Sequence, residues 1–229
     1  MRYILIITLM FIWACETEKD YYQINEDKLN QIIRFSEVII DNDSIADHYS
    51  KSIIKVKTDP NTTVNQVTFK RNFGLFENGF DTIATTINTI GEAHLFLLHP
   101  DSPSKVLLTA MVANYSIDTV IQFTTSYAED FILKADPYST DTLGQITLRA
   151  ELFKENGVIT QGQKVRFFFD PNAPLLEYPD LPAYAITENN AASVTLTNPY
   201  HLQNKYQIVA RVPISNADSI DKQILIEIK

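Results

Sequence analysis

Apolar and polar residues alternate along most of this chain with a period of two, which is the pattern of a β-strand with one buried face. Turn residues separate the alternating stretches, for example Asn78-Gly79 and Asn198-Pro199. After Cys15 no long segment combines helix caps with a 3.6-residue period. The clearest alternating stretches lie at 54–58, 105–112, 146–152, 206–212 and 224–228. The pattern therefore predicts an all-β fold built from short strands.

Five short segments recur in the same order in the second half of the chain. The pairs are 46–50 with 135–139, 67–69 with 165–167, 88–93 with 187–192, 109–112 with 209–212, and 118–119 with 218–219. Such a series of landmarks in register is typical of a duplicated domain. About seven short strands per hundred residues is typical of an immunoglobulin-like sandwich. We therefore expect two tandem immunoglobulin-like β-sandwiches, at 36–134 and 135–229.

Both copies resemble the bacterial immunoglobulin-like domains of the invasin/intimin group, which open with an Ala-Asp-Gly element and continue through Val-x-Phe and Val-x-Ala-x-Val strands. The first copy matches through Ala46, Asp47, Ile54, Val56, Val67, Phe69, Gly91, Ala93, Ala110 and Val112. The second matches through Ala135, Asp136, Ile146, Leu148, Ala150, Val165, Phe167, Ala192, Ala210 and Val212. The opening glycine is replaced by His48 in one copy and by Pro137 in the other. The resemblance implies the fold, and a role as a stalk module or adhesive tip on a bacterial surface.

The start of the chain predicts export followed by lipidation. A basic start is followed by an apolar run from Tyr3 to Ala14, and the chain becomes polar directly after its only cysteine, Cys15. The segment 12–15 (Ile-Trp-Ala-Cys) resembles a bacterial lipobox, in which the cysteine becomes the lipid-carrying first residue. We therefore expect a signal peptide at 1–14, and an acylated Cys15 with a flexible tether at 15–35.

Two other interpretations of this start remain open. A transmembrane anchor needs roughly 20 apolar residues, which is longer than the run seen here. An ordinary cleaved signal would leave an unpaired thiol in an oxidising compartment. Lipidation accounts for both the short run and the cysteine, so we expect the membrane to be a partner through the lipid anchor. The acidic residues after Cys15 resemble surface-export signals of lipoproteins in the Bacteroidota, which implies an outer-membrane location with possible surface exposure.

Charge and cysteine content exclude several classes of function. The net charge is −9, from 19 Lys and Arg against 28 Asp and Glu. Nucleic-acid binding needs a basic face, so no nucleic-acid partner is expected. With one cysteine in the chain, neither a disulfide framework nor a cysteine metal site is available.

Motifs for catalysis or cofactor binding are absent from the sequence. It contains no glycine-rich phosphate loop, no His-Glu-x-x-His and no Gly-x-Ser-x-Gly. Asp41, Asp43 and Asp47 form a weak candidate calcium site, because closely spaced carboxylates can wrap this cation. The alternative is that these are linker acids, and the second copy has no matching pair before Asp136. We expect no cofactor and no enzyme activity.

A proline-rich stretch from Pro171 to Tyr184 is the strongest candidate for a contact surface. Rigid aromatic loops at the end of a sandwich make good contacts with proteins or glycans. The candidate contact residues are Leu175, Leu176, Tyr178, Leu181 and Tyr184. The alternative, which we favour, is that the stretch covers the edge of its own sheet or packs on the first domain, because large exposed apolar patches are uncommon.

The sequence predicts a non-catalytic, lipid-anchored cell-envelope protein that acts as an adhesive or spacer module. One alternative is a periplasmic or outer-membrane subunit of a larger envelope complex. Another is a glycan-binding accessory protein or hydrolase, although no pair of carboxylates is identifiable in a cleft. The identity of a protein or glycan partner is not encoded in any motif.

Overall fold

The computed structural model describes residues 26–173 and 175–229 of the chain. The predicted signal peptide, Cys15 and the first part of the tether lie outside the described residues. Within them the secondary structure is almost entirely β, which confirms the predicted fold class. None of the helices in this part of the chain is long and apolar enough to cross a membrane.

The first sandwich consists of two four-stranded sheets. One has the order β1-β2-β6-β4 and the other the order β5-β3-β7-β8. The elements are α1 (Glu26–Ile32), β1 (Ile33–Ile39), a 3-10 turn (Asn42–Ser44), β2 (Lys51–Thr58), β3 (Gln66–Arg71), β4 (Leu75–Phe76), β5 (Thr82–Thr86), β6 (Glu92–Leu98), β7 (Lys105–Val112) and β8 (Tyr115–Gln122).

The second sandwich has a three-stranded sheet, β14-β11-β9, facing a five-stranded sheet, β10-β16-β15-β12-β13. The short strand β10 pairs in parallel with β16, and the other neighbours are antiparallel. The elements are β9 (Asp130–Asp136), β10 (Ser139–Thr140), β11 (Ile146–Phe153), β12 (Lys164–Phe169), β13 (Tyr184–Ile186), β14 (Ala191–Leu196), β15 (Asn204–Pro213) and β16 (Ser219–Ile228).

Each sandwich has its own hydrophobic core, formed by the inward residues of its alternating strands. In the first, Ile54 and Val56 of β2 face Phe69 of β3 and Phe123, which follows β8. In the second, the largest buried side chains are Phe131, Ile146, Phe167 and Tyr206. Burial of such side chains contributes about 1.5–3 kcal/mol each, so the alternation itself stabilises the two sandwiches.

Three of the five repeated landmarks occupy equivalent positions in the two sandwiches. Phe69 of β3 lies opposite Ala110 of β7, and Phe167 of β12 lies opposite Ala210 of β15. The third landmark is equivalent as well, because Ala93 and Ala192 occupy matching places beside β2 and β11. In these regions the sequence repeat and the structural repeat coincide.

The other two landmarks are not equivalent. Ala46-Asp47 follows the 3-10 turn and precedes β2, whereas Ala135-Asp136 ends β9. The fifth pair differs as well, because Asp118 lies within β8 whereas Asp218 precedes β16. A short sequence match, even one over five residues as at 46–50 and 135–139, does not fix strand position.

The structure also moves the starts of both sandwiches upstream of the predicted boundaries at 36 and 135. β1 begins at Ile33, which is fully buried in the first core, and β9 begins at Asp130. The segment 26–35, predicted as the end of a tether, thus forms a short helix and the start of an edge strand. Its apolar residues Leu29, Ile32 and Ile33 pack on the first core, which is why it is ordered with the sandwich.

Candidate functional site

The two sandwiches meet at a junction, defined here as the linker 123–129 with the turns 44–50 and 154–163 that contact it. Phe123 at its start is buried in the first core, and Ala128 near its end is buried in the second. Between them, Thr124 forms a parallel bridge with Ile45. The amide of Ala46 donates to the Thr124 carbonyl at 2.9 Å, and the amide of Thr124 donates to the Ser44 carbonyl at 2.8 Å. Both ends of the linker are therefore fixed.

A turn of the second sandwich contacts the first directly. The amide of Val158 donates to the carbonyl oxygen of Asp47 at 2.7 Å. Gly157 makes this approach possible, because a Cβ at that position would lie 2.4 Å from the same carbonyl oxygen. Its φ of +83° is also in the region that favours glycine. The sequence of Asn156-Gly157 predicts only a turn. The contact of this turn with the first sandwich could not be predicted from the sequence.

Buried polar groups hold the second sandwich to the linker. The hydroxyl of Ser126 donates to the Val158 carbonyl at 2.7 Å, and the amide of Ser126 donates to Thr160 Oγ1 at 2.9 Å. The side-chain amide of Gln163 donates to the carbonyls of Ser126 and Thr160, both at 2.8 Å. Buried hydrogen bonds of this kind favour one arrangement of the linker, because breaking them would leave desolvated donors and acceptors without partners.

The carboxylate of Asp47, which is 1% exposed, organises the turn on the side of the first sandwich. It accepts hydrogen bonds from the amides of Tyr49 and Ser50, from the Ser50 hydroxyl at 2.6 Å and from the Asn42 side chain at 3.0 Å. Burial raises the pKa of this carboxyl, but the hydrogen bonds from Ser50, Tyr49 and Asn42 outweigh burial and hold the pKa below its ordinary value.

The structure does not bring Asp41, Asp43 and Asp47 together as calcium ligands. The Asp47 oxygens are taken up by hydrogen bonds, and Asp41 accepts a hydrogen bond from the amide of Asn42 at 2.9 Å. Asp43 lines the cleft described below. Among the residues that the structure describes, no group of three or more His, Cys, Asp or Glu side chains is placed to hold a metal ion.

Ser52, His99 and Asp47 resemble a nucleophile, base and acid in their order of contacts. The Ser52 hydroxyl lies 2.8 Å from His99 Nε2, and His99 Nδ1 lies 3.9 Å from Asp47 Oδ1. However, Nδ1 hydrogen-bonds the Ile45 carbonyl at 2.8 Å, so the imidazole is oriented by the backbone. Ser52 and His99 are fully buried, and a nucleophile must face its substrate. The trio therefore braces the turn against β2 and β6.

A cleft of about 270 Å³ lies between the sandwiches beside the linker. Asp43 and Ile45 line it from the first sandwich, and Lys154 and Asn216 line it from the second. The Tyr127 hydroxyl donates to Asn216 Oδ1 at 2.7 Å across its floor. Carboxylates and an ammonium share this cleft, so its charge favours no one class of ligand.

The predicted contact residues of the proline-rich stretch divide into two groups. Leu175, Tyr178 and Leu181 are partly buried and pack on the second core, and the Tyr178 ring lies 4.5 Å from that of Phe169. Leu176 and Tyr184 are exposed. The stretch therefore covers one margin of its own sandwich, and it leaves two of the five candidate side chains at the surface.

The sequence matches no protein-family model and no curated protein. The structure is similar to that of invasin, a bacterial integrin-binding protein, with a TM-score of 0.58 and 17% sequence identity over 82% of this chain and 38% of that one. It is also similar to the Yersinia pseudotuberculosis adhesin InvE, with a TM-score of 0.54 and 15% identity over 83% of this chain and 58% of that one.

These similarities show that the sandwiches have the fold of invasin-type bacterial immunoglobulin-like domains, as the sequence predicted. At this level of identity they establish the fold and carry no functional residue across. The chain also spans only part of each of these two structures.

Proposed function

We propose that the chain is a lipid-anchored cell-envelope protein whose two immunoglobulin-like sandwiches act as an adhesive or spacer module. The observation that carries this proposal is the junction, where hydrogen bonds tie the linker to both sandwiches and Val158 to Asp47. A spacer must hold its modules in a set relation, and a free linker would not do so. Invasin is a bacterial integrin-binding protein and InvE is an adhesin, and their similarity in fold supports the adhesive role.

The proposed attachment is through Cys15. A diacylated cysteine carries more than one acyl chain, which is sufficient for stable membrane association without a spanning helix. With a net charge of −9, electrostatic attraction to anionic lipids would contribute little, so the acyl chains must provide the attachment. The proposed location is the outer membrane, on its surface.

The proposed role is non-catalytic. Ser52 with His99 and Asp47, the arrangement in the described residues that resembles a catalytic trio, is buried inside the first sandwich, where the Ser52 hydroxyl does not face solvent. The interdomain cleft contains acidic and basic side chains but no nucleophile paired with a base.

The test is protease accessibility on intact cells that have an outer membrane and express the full chain with a C-terminal epitope tag. We expect external protease to remove the tag from the parent protein, and we expect the Cys15→Ala protein to be either soluble or retained inside the cell, with its tag protected from external protease. A tag that is cleaved only after permeabilisation would refute surface display and favour a periplasmic subunit of a larger complex. Surface display of the Cys15→Ala protein equal to that of the parent would refute the lipid anchor.

A further inference from the structure

The outward surface of the five-stranded sheet of the second sandwich, here called the basic face, differs in charge from the rest of the molecule. In β12, Val165 and Phe167 enter the core, so Lys164 and Arg166 point outward. In β15, the alternation places Arg211 on the same side. Lys205 of β15 lies on the same face, as do two carboxylates of β16, Asp221 and Glu227. The four cations exceed the two carboxylates, so this face has an excess of positive charge in a chain with a net charge of −9.

Strand register aligns a row of side chains across the basic face. Tyr184 of β13 lies opposite Arg166 of β12, Arg166 lies opposite Arg211 of β15, and Arg211 lies opposite Asp221 of β16. Adjacent strands are about 4.8 Å apart, so this row spans about 14 Å. That length suits an extended chain of small units lying across the strands.

The charges along the row are only partly neutralised. Arg211 donates from Nε and Nη2 to the two oxygens of Asp221, at 2.7 and 2.6 Å. This pairing holds the pKa of Asp221 below its ordinary value, so the carboxylate stays ionised. Within the described residues, no ion pair or hydrogen bond engages the guanidinium of Arg166. Arg166 and Arg211 are directly opposite each other, and two like charges in such a pair are unfavourable.

Aromatic surface accompanies the unpaired guanidinium. Tyr184 is 52% exposed, and the Lys164 ammonium lies 3.9 Å from the centre of its ring, which fixes one side of the ring. Arg211 lies over Phe168, with 5.4 Å from the guanidinium carbon to the ring centre. Beside them the Gln207 amide donates to Gln223 Oε1 at 3.0 Å, which adds a pair of neutral polar groups on the same face.

The same row in the first sandwich has none of these groups. There Ala84 lies opposite Thr68, Thr68 lies opposite Met111, and Met111 lies opposite Ser116. The backbone pairing is the same, but the row is neutral and contains no aromatic ring. The cationic and aromatic residues are therefore a feature of one copy and not a requirement of the fold.

We propose that the basic face binds a carboxylated polysaccharide across the row Tyr184, Arg166, Arg211 and Asp221. The planar guanidinium of Arg166 suits a carboxylate of the sugar, since it donates two parallel hydrogen bonds. Tyr184 supplies apolar surface for a sugar ring, and the glutamine pair supplies partners for hydroxyl groups. This proposal rests on the adhesive form of the proposed function and extends it by naming the class of ligand.

An acidic peptide fits the basic face less well. Peptides are recognised at open strand edges or in grooves. Here the row crosses the middle of a sheet, and the strand at its near edge, β13, has only three residues.

The experiment measures binding of the full-length protein, purified in detergent, to immobilised polygalacturonate and to the methyl ester of the same polymer. The variants are Arg166→Gln and Tyr184→Ala. Lys70→Gln is the matched control, since it removes one cation from the corresponding surface of the first sandwich. We expect binding to polygalacturonate only, weakened about tenfold by Arg166→Gln, weakened by Tyr184→Ala, and unchanged by Lys70→Gln.

Several outcomes would overturn the proposal. These are no binding to polygalacturonate, an equal loss with Lys70→Gln, equal binding of poly-glutamate, or binding to vesicles that requires both phosphatidylglycerol and Arg166. The last two would indicate an acidic peptide or a lipid surface as the ligand. Because the purified protein is used, failure here leaves the protease test of surface display unaffected, and failure of that test leaves this measurement unaffected.

Discussion

The two sandwiches have the same buried positions and different outward ones. Phe69 and Phe167 are buried opposite Ala110 and Ala210, so this part of the two cores is built alike. The outward row changes from neutral residues in the first sandwich to cations and a tyrosine in the second. The comparison shows that burial constrains the inward-facing residues of each strand, whereas the outward-facing residues can change and form a binding surface.

The largest expected effect tests whether the two cores are independent. Replacing Phe69 or Phe167 by Ala should cost about 3–5 kcal/mol in the sandwich that holds it, because both side chains are buried. Peptide-resolved hydrogen exchange should report lost protection in that sandwich, with the other one less affected. Equal loss in both sandwiches from either variant would mean that they unfold as one unit.

The junction offers a second test with a matched control. Gly157→Ala should cost about 1–2 kcal/mol for its positive φ and about 1–3 kcal/mol more for the clash with Asp47. Gly162 has a φ of +81° and no atom within 4 Å of the place that a Cβ would take, so Gly162→Ala carries the backbone cost alone. Hydrogen exchange at the Val158 amide should rise in the first variant only. The same exchange in both would contradict a role for the close contact.

Asp47 makes the junction sensitive to acid. Its pKa is lowered in the folded state, so its stabilising contribution is present above the unfolded value of about 3.9 and is lost as pH falls through the folded pKa. Asp47→Asn should cost about 1–3 kcal/mol at neutral pH and should weaken the acid dependence. Asp136, its counterpart in the sequence repeat, is exposed, and Asp136→Asn should change stability by less than about 0.5 kcal/mol. Denaturant titrations at pH 7 and pH 3 would measure both, and equal effects would refute the distinction.

The smallest expected change in stability comes from a substitution on the basic face, and it tests whether Arg166 serves the fold or a ligand. Arg166→Gln removes one of two opposed cations from an exposed position, so stability should stay within about 0.5 kcal/mol of the parent protein or rise slightly. Thermal unfolding followed by circular dichroism checks this. A large destabilisation would show that Arg166 serves the fold, and it would remove the reason for assigning it to a ligand.

Much of the fold could be predicted from the sequence, because alternation and three equivalent landmarks depend on local pattern. The starts of the sandwiches could not be predicted, since Leu29 and Ile32 can pack on the first core only when β1 pairs with β2. The outward direction of Lys164 and Arg166 was readable from the alternation in β12. Their alignment with Arg211 and Tyr184 was not, because strand pairing brings together residues that are distant in the chain.

The site residues were harder to predict for the same reason. The proline-rich stretch was rich in apolar residues, but burial of Leu175, Tyr178 and Leu181 depends on which core lies beneath them. The spacing of Asp41, Asp43 and Asp47 suggested a cation, yet Ser50 and the local amides satisfy the one buried carboxylate. Hydrogen-bond partners of this kind are a property of the folded turn.

The parallel pairing near the end of each sandwich has a mechanical consequence. In the first, Ala46 and Ser44 bond to Thr124, and in the second, the amides of Glu227 and Lys229 donate to the carbonyls of Tyr138 and Thr140. In each pair one strand continues toward the start of the chain and its partner toward the end. Tension along the molecule therefore pulls the two strands past each other in shear. Their hydrogen bonds then share the load, so the parallel pair of each sandwich resists stretching.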